Sequence, residues 1–123
     1  MRGFRADDGK VYRGAFLRTE MNIEIEPWDS RAGDLNEKNL RRRLENEGYS
    51  VARYDYPPGS VFPDHTHGID KKDAVISGCL LIKAEGREFM LRAGDALQVP
   101  AGTVHSAEVI GDETMISLDG TKR

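Results

Sequence analysis

The sequence predicts an all-β chain: an antiparallel sandwich or barrel of short strands with one helix in front. Three observations carry this. From Tyr49 onward, short apolar-rich runs alternate with Gly, Pro and Asp turn residues. About eight such runs follow one another, the spacing of a β-sandwich or barrel. Only one stretch, near residues 37–47, carries a helical apolar stripe.

Residues 1–20 hold scattered apolar positions (Phe4, Val11, Tyr12, Phe16, Leu17) without a period, and read as an N-terminal arm, mobile or docked on a neighbour. Residues 21–48 read as a strand plus a helix that packs on the barrel. Met21, Ile23 and Ile25 alternate with Asn22, Glu24 and Glu26, and Pro27 ends the run. The helix is expected from Glu37 to Glu47. Asn36 caps it, Leu35 can staple onto Leu40, Leu40 and Leu44 share a face, Glu37 precedes Arg41 by one turn, and Gly48 stops it. Residues 49–123 form the barrel. Its expected strands are Tyr49–Tyr56, Val61–His67, Asp73–Ser77, Cys79–Ala84, Arg87–Leu91, Ala96–Val99, Val104–Ile110 and Thr114–Leu118. Glu85-Gly86 is a tight hairpin signal.

Composition narrows the partners. With 123 residues the chain can bury one core without a staple. Net charge is −3, and acidic residues surround the one basic run, Arg41-Arg42-Arg43, so no nucleic acid is expected as a partner. No window approaches the roughly 20 apolar residues of a membrane helix, and no membrane partner is expected. A single cysteine, Cys79, allows no intrachain disulfide, which suits a reducing, cytoplasmic setting.

All three histidines of the chain fall into two places. His65 and His67 are two apart, so on a strand both imidazoles face one side. His105 opens a later strand. Two neighbouring ligands and one distant one can build a transition-metal site across a β-scaffold, since neutral imidazole suits Zn, Cu, Fe and Ni. Glycines and prolines frame these residues: Gly59, His65-Thr66-His67 and Gly78 in one stretch, Gly94, Pro100, Gly102 and His105 in the other. The two stretches resemble the paired motifs of the cupin superfamily, G-x5-H-x-H-x3-4-E-x6-G and G-x5-P-x-G-x2-H-x3-N. The resemblance covers about residues 51–118 and implies a double-stranded β-helix, or jelly-roll barrel, with an interior site. It also implies that His65, His67 and His105 are metal ligands, and that the chain is a homodimer joined through sheet edges. Three imidazoles buried without partners would cost roughly 1–3 kcal/mol each, a penalty that a metal removes.

The chain departs from the pattern at two positions. Lys71 stands where the motif has its glutamate ligand, and Val109 replaces the terminal asparagine. An ammonium about 5 Å from a divalent cation is repelled by roughly 6–7 kcal/mol at an effective dielectric near 20. Discharging a lysine at neutral pH costs about 5 kcal/mol. Turning Lys71 outward, or pairing it with Asp70 or Asp73, is the cheaper expectation. Asp73 keeps the strand parity of position 71, and Asp70 sits in the adjoining turn, so either can supply a fourth carboxylate ligand.

The expected function is thus a metal-dependent small-molecule enzyme of the cupin type, either dioxygenase-like or isomerase- or lyase-like. Its cofactor is a divalent transition metal: Fe, Mn, Ni, Cu or Zn. The alternative is a binding module for a metal or a small anionic ligand, with Lys71 as the anion's anchor. Tyr54, Phe62 and Met90 are candidate pocket-lining residues beside Lys71.

Overall fold

The computed structural model describes residues 23–123, so the arm expected at residues 1–20 lies outside the described residues. The elements, in chain order, are β1 (Ile25–Glu26), a 3-10 turn (Ser30–Ala32), α1 (Glu37–Asn46), β2 (Tyr49–Tyr56), β3 (Val61–His65), β4 (Lys71–Ser77), β5 (Leu80–Ala84), β6 (Arg87–Leu91), β7 (Ala96–Val99), β8 (His105–Val109) and β9 (Met115–Lys122). They form two antiparallel sheets, one in the order β1-β7-β4-β9-β2 and the other in the order β3-β8-β5-β6.

Local chemistry places the elements. The Asn36 side chain accepts a hydrogen bond from the Asn39 N–H at 2.8 Å, which caps the first turn of α1. Gly48 ends it in the left-handed region, φ +99°. Glu85 and Gly86 both have positive φ, 54° and 73°, the backbone of a type I′ turn, so β5 and β6 form a two-residue hairpin. At Gly78, φ is +86°, and a Cβ would lie 2.8 Å from the Cα of Met115. Only glycine fits where the chain passes from β4 to β5.

Strand alternation sorts side chains into two cores. Between the sheets lie Val75, Leu80, Ile82, Phe89, Leu91, Leu97, Val99, Val109 and Met115, joined by Ile23 ahead of β1. On the outer face of the five-stranded sheet, Leu40 and Leu44 of α1 pack on Tyr49, Ala74, Ala96 and Leu118. The helix therefore covers the sheet's back and leaves its front free to line the barrel.

Four boundaries differ from the expected ones by two residues or more. Among the described residues the first strand spans only Ile25–Glu26, β3 ends at His65, and β4 begins at Lys71 rather than Asp73. The last strand runs on to Lys122 rather than stopping at Leu118. Asp119-Gly120 reads as a turn dipeptide, but β9 lies between β4 and β2 and pairs with both along its length. Two ladders of backbone hydrogen bonds outweigh a local turn preference.

Candidate functional site

Each sheet contributes one wall to a cavity of about 140 Å³ inside the barrel. That is room for roughly five waters at their liquid volume, or for a small organic molecule.

The four-stranded sheet brings the histidines together. His65 at the end of β3 lies directly across from His105 at the start of β8. Their ring centroids are 4.2 Å apart, and His67 follows in the loop at 4.8 Å from His65 and 5.3 Å from His105. One nitrogen from each of the three rings lies within 4.8 Å of the others. The Nδ1–H of His65 donates to the Pro63 carbonyl at 2.7 Å, and that of His105 donates to the Thr103 carbonyl at 2.9 Å. A carbonyl only accepts, so these bonds fix the Nδ1–H tautomer in both rings. Each Nε2 is left with a free lone pair, which is the state a ligating histidine needs. Burial lowers the pKa of His105, and burial followed by the nearby His65, His105 and Lys71 lowers that of His67. Three imidazoles brought together in this way fit a divalent metal.

The two loops that carry the ligands are tied to each other. The Gly102 N–H donates to the His67 carbonyl at 2.9 Å. The Ala101 N–H donates to the Asp70 carboxylate at 2.7 Å. Asp70 is thereby engaged as a loop brace, away from the histidine cluster.

The five-stranded sheet supplies the opposite wall, and here the expectation for Lys71 is corrected. Its side chain turns inward, 16% exposed, and its ammonium donates to Asp119 at 2.8 Å and to the Thr121 hydroxyl at 2.9 Å. Register explains this choice. Lys71 lies across from Thr121, and Asp73 lies across from Asp119, all on the inward row of β4 and β9. A carboxylate already in place on the neighbouring strand offsets the desolvation that made an inward lysine expensive. Asp73 does line the cavity, as its parity predicts, but its carboxyl meets Asp119 rather than the histidine cluster. Burial raises the Asp73 pKa to about 7, and the charge of Asp119 adds to the rise against the opposing pull of Lys71.

Tyr54 and Phe62 line the cavity as expected, together with Tyr56 and Met115. Met90 does not. It alternates on β6 with the buried Phe89 and Leu91, so its side chain takes the outer face of the strand. Asp119 is the site residue that sequence reasoning missed. Inward-pointing Met115 and Ser117, four and two residues earlier, would reveal it once the strand is known to continue.

A jelly-roll of two facing sheets enclosing three convergent imidazoles defines a β-barrel protein with a prospective interior metal centre. The sequence profile described as "Cupin domain" matches residues 52–119, more than half of the chain. The chain belongs to the cupin family. Solved structures agree. KdgF from Halomonas sp. superposes with a TM-score of 0.54 at 23% identity, over 62% of this chain and 71% of that one. A cupin protein from Bacteroides fragilis gives 0.53 at 23% identity, over 68% and 73%. A double-stranded β-helix protein from Klebsiella pneumoniae gives 0.53 at 27% identity, over 61% and 67%. No functionally curated protein matches the chain in sequence.

Proposed function

We propose that the protein is a metal-dependent enzyme acting on a small molecule, with His65, His67 and His105 holding the ion. The observation that carries this is the tautomer lock. Two of the three rings spend their Nδ1–H on backbone carbonyls, which leaves Nε2 as the ligating atom of each, and one nitrogen from each of the three rings lies within 4.8 Å of the others. A bound divalent ion would supply Lewis acidity there, or redox chemistry if it is iron, manganese or copper. The chain's own groups do the rest. The loop brace orients the imidazoles, Tyr54, Tyr56 and Phe62 shape the space for substrate, and the wall of Lys71, Asp73 and Asp119 faces it. The reading of Lys71 as anchor for an anionic ligand loses support, because its ammonium is already paired with Asp119.

Elemental mass spectrometry of protein purified without chelator tests the proposal. About one transition-metal ion per chain is expected, falling at least tenfold in His105→Ala while circular dichroism stays unchanged. Protein that remains metal-free after incubation with Fe(II), Mn(II), Ni(II), Cu(II) and Zn(II) in turn overturns it.

A further inference from the structure

The wall facing the histidines holds groups that metal binding alone does not require. Asp73 and Asp119 sit directly opposite each other on β4 and β9, both line the cavity, and Lys71 clamps Asp119 from one pleat away. Like charges so close cannot both be cheap, so one carboxyl keeps its proton. Lys71 already neutralises Asp119, so nothing in the packing requires a second carboxyl beside them: an apolar residue at position 73 would fill the barrel without the desolvation cost. We propose that Asp73 is the catalytic acid–base of this cavity, moving a proton on and off a carbon next to the carbonyl of a small substrate held against the three histidines, with Asp119 and Lys71 as its positioning residues. This deepens the metal-enzyme reading and rests on it, and it selects isomerase or lyase chemistry over oxygen chemistry.

The step balances without a co-reactant. The ionised Asp73 carboxylate takes the C–H proton, and the C–H electron pair becomes a C=C bond as the carbonyl π pair moves onto oxygen. Protonated Asp73 then returns the proton to a neighbouring atom, or exchanges it with solvent. Nothing is oxidised or reduced. A bound cation opposite would compensate the charge developing on the oxygen. Asp73 titrates near 7 because of its burial and of Asp119, which places it where a general base is most effective at physiological pH. The charged and titratable groups facing it are Lys71 on its own strand, Asp119 on β9, Tyr54 and Tyr56 on β2, and the three histidines across the cavity.

Two readouts test this on the full chain. The first is a carbon-13 NMR titration of the carboxyl groups in aspartate-labelled, metal-free protein. One aspartate should titrate near neutral pH, vanish in Asp73→Asn, and move at least one pH unit lower in Asp119→Asn. The second follows C–H exchange of pyruvate and of hydroxyacetone in D₂O by proton NMR, with Zn(II)-loaded protein. Wild-type exchange of at least one probe should fall at least a hundredfold in Asp73→Asn. In Asp119→Asn it should persist, with the midpoint of its pH profile lowered. Zn(II) affinity by calorimetry should stay within about threefold of wild type in both variants. Exchange of neither probe by Zn(II)-loaded wild type, or an Asp73→Asn variant as fast as wild type, overturns the assignment. Failure of wild type to bind Zn(II) or any of the other four ions strikes the metal-centre reading instead. The carboxyl titration then decides the aspartate pair by itself, and ordinary carboxylate values for both aspartates overturn it.

Discussion

Lys71 shows how one substitution in a motif is absorbed by a residue on another strand. The motif's glutamate would place a negative charge beside the metal; here a positive charge faces the cavity and Asp119, 48 positions later in sequence, cancels it at 2.8 Å. Restoring the family residue tests that compensation. Lys71→Glu puts a third carboxyl beside Asp73 and Asp119 and removes their cation. The metal-free variant should lose about 1–3 kcal/mol of stability, as expected when a partly buried charge loses its partner. Zn(II) should then raise its melting temperature by more than it raises that of wild type, which differential scanning fluorimetry can compare. The three histidines were legible through the resemblance to the cupin motifs, whose glycines and proline frame them; their spacing by itself left a ligand role open. The partner of Lys71 was not. Its position depends on cross-strand register, which no local pattern encodes, and the expected strand stops at Leu118, one residue short of it.

At the scale of elements, β4 connects the two faces of the fold. Its inward residues Lys71 and Asp73 build the site, while its outward residues Lys72 and Ala74 meet the helix layer. Lys72, 5% exposed, donates to Glu26 at 2.7 Å and Glu47 at 2.8 Å, which pins β1 and the end of α1 to the sheet. Further polar contacts ring the apolar centre of the helix seat: Arg53 donates to Glu37 at 2.6 Å and Arg41 to the Val51 carbonyl at 2.9 Å. Leu44→Ala should cost about 2–5 kcal/mol in denaturant unfolding, since Leu44 is fully buried against the sheet. Gly78→Ala should destabilise by roughly 1–3 kcal/mol through φ strain and the clash with the Met115 backbone, and should not spare the barrel even though it leaves every ligand in place. The helix and the β5–β6 hairpin were readable because each depends on local rules: a cap, a stripe, a two-residue turn. Strand ends next to the site were less so, because β3, β4 and β9 begin or stop where tertiary pairing, not propensity, dictates.

Across the whole molecule, the aspartate pair links stability to pH. The Asp73 pKa is raised in the folded chain, so between its unfolded value near 3.8 and about 7 the native state binds more protons than the unfolded state. Stability then falls as pH rises through that window. The depressed values of His67 and His105 act oppositely, contributing stability that is lost as pH falls through their folded values. Urea titrations of metal-free protein at pH 5 and 7.5 should show Asp73→Asn less sensitive to this rise than wild type, by a few kcal/mol at most. One more property of the assembled chain follows from the joined ligand loops. Because the Gly102 N–H holds the His67 carbonyl and Asp70 holds the Ala101 N–H, the two halves of the histidine set cannot separate independently. The residence time of an ion held by the three histidines would then depend on how often this junction opens. Asp70→Ala, which touches no ligand atom, should quicken the escape of Zn(II) to a chelator in stopped flow while leaving its rate of entry nearly unchanged.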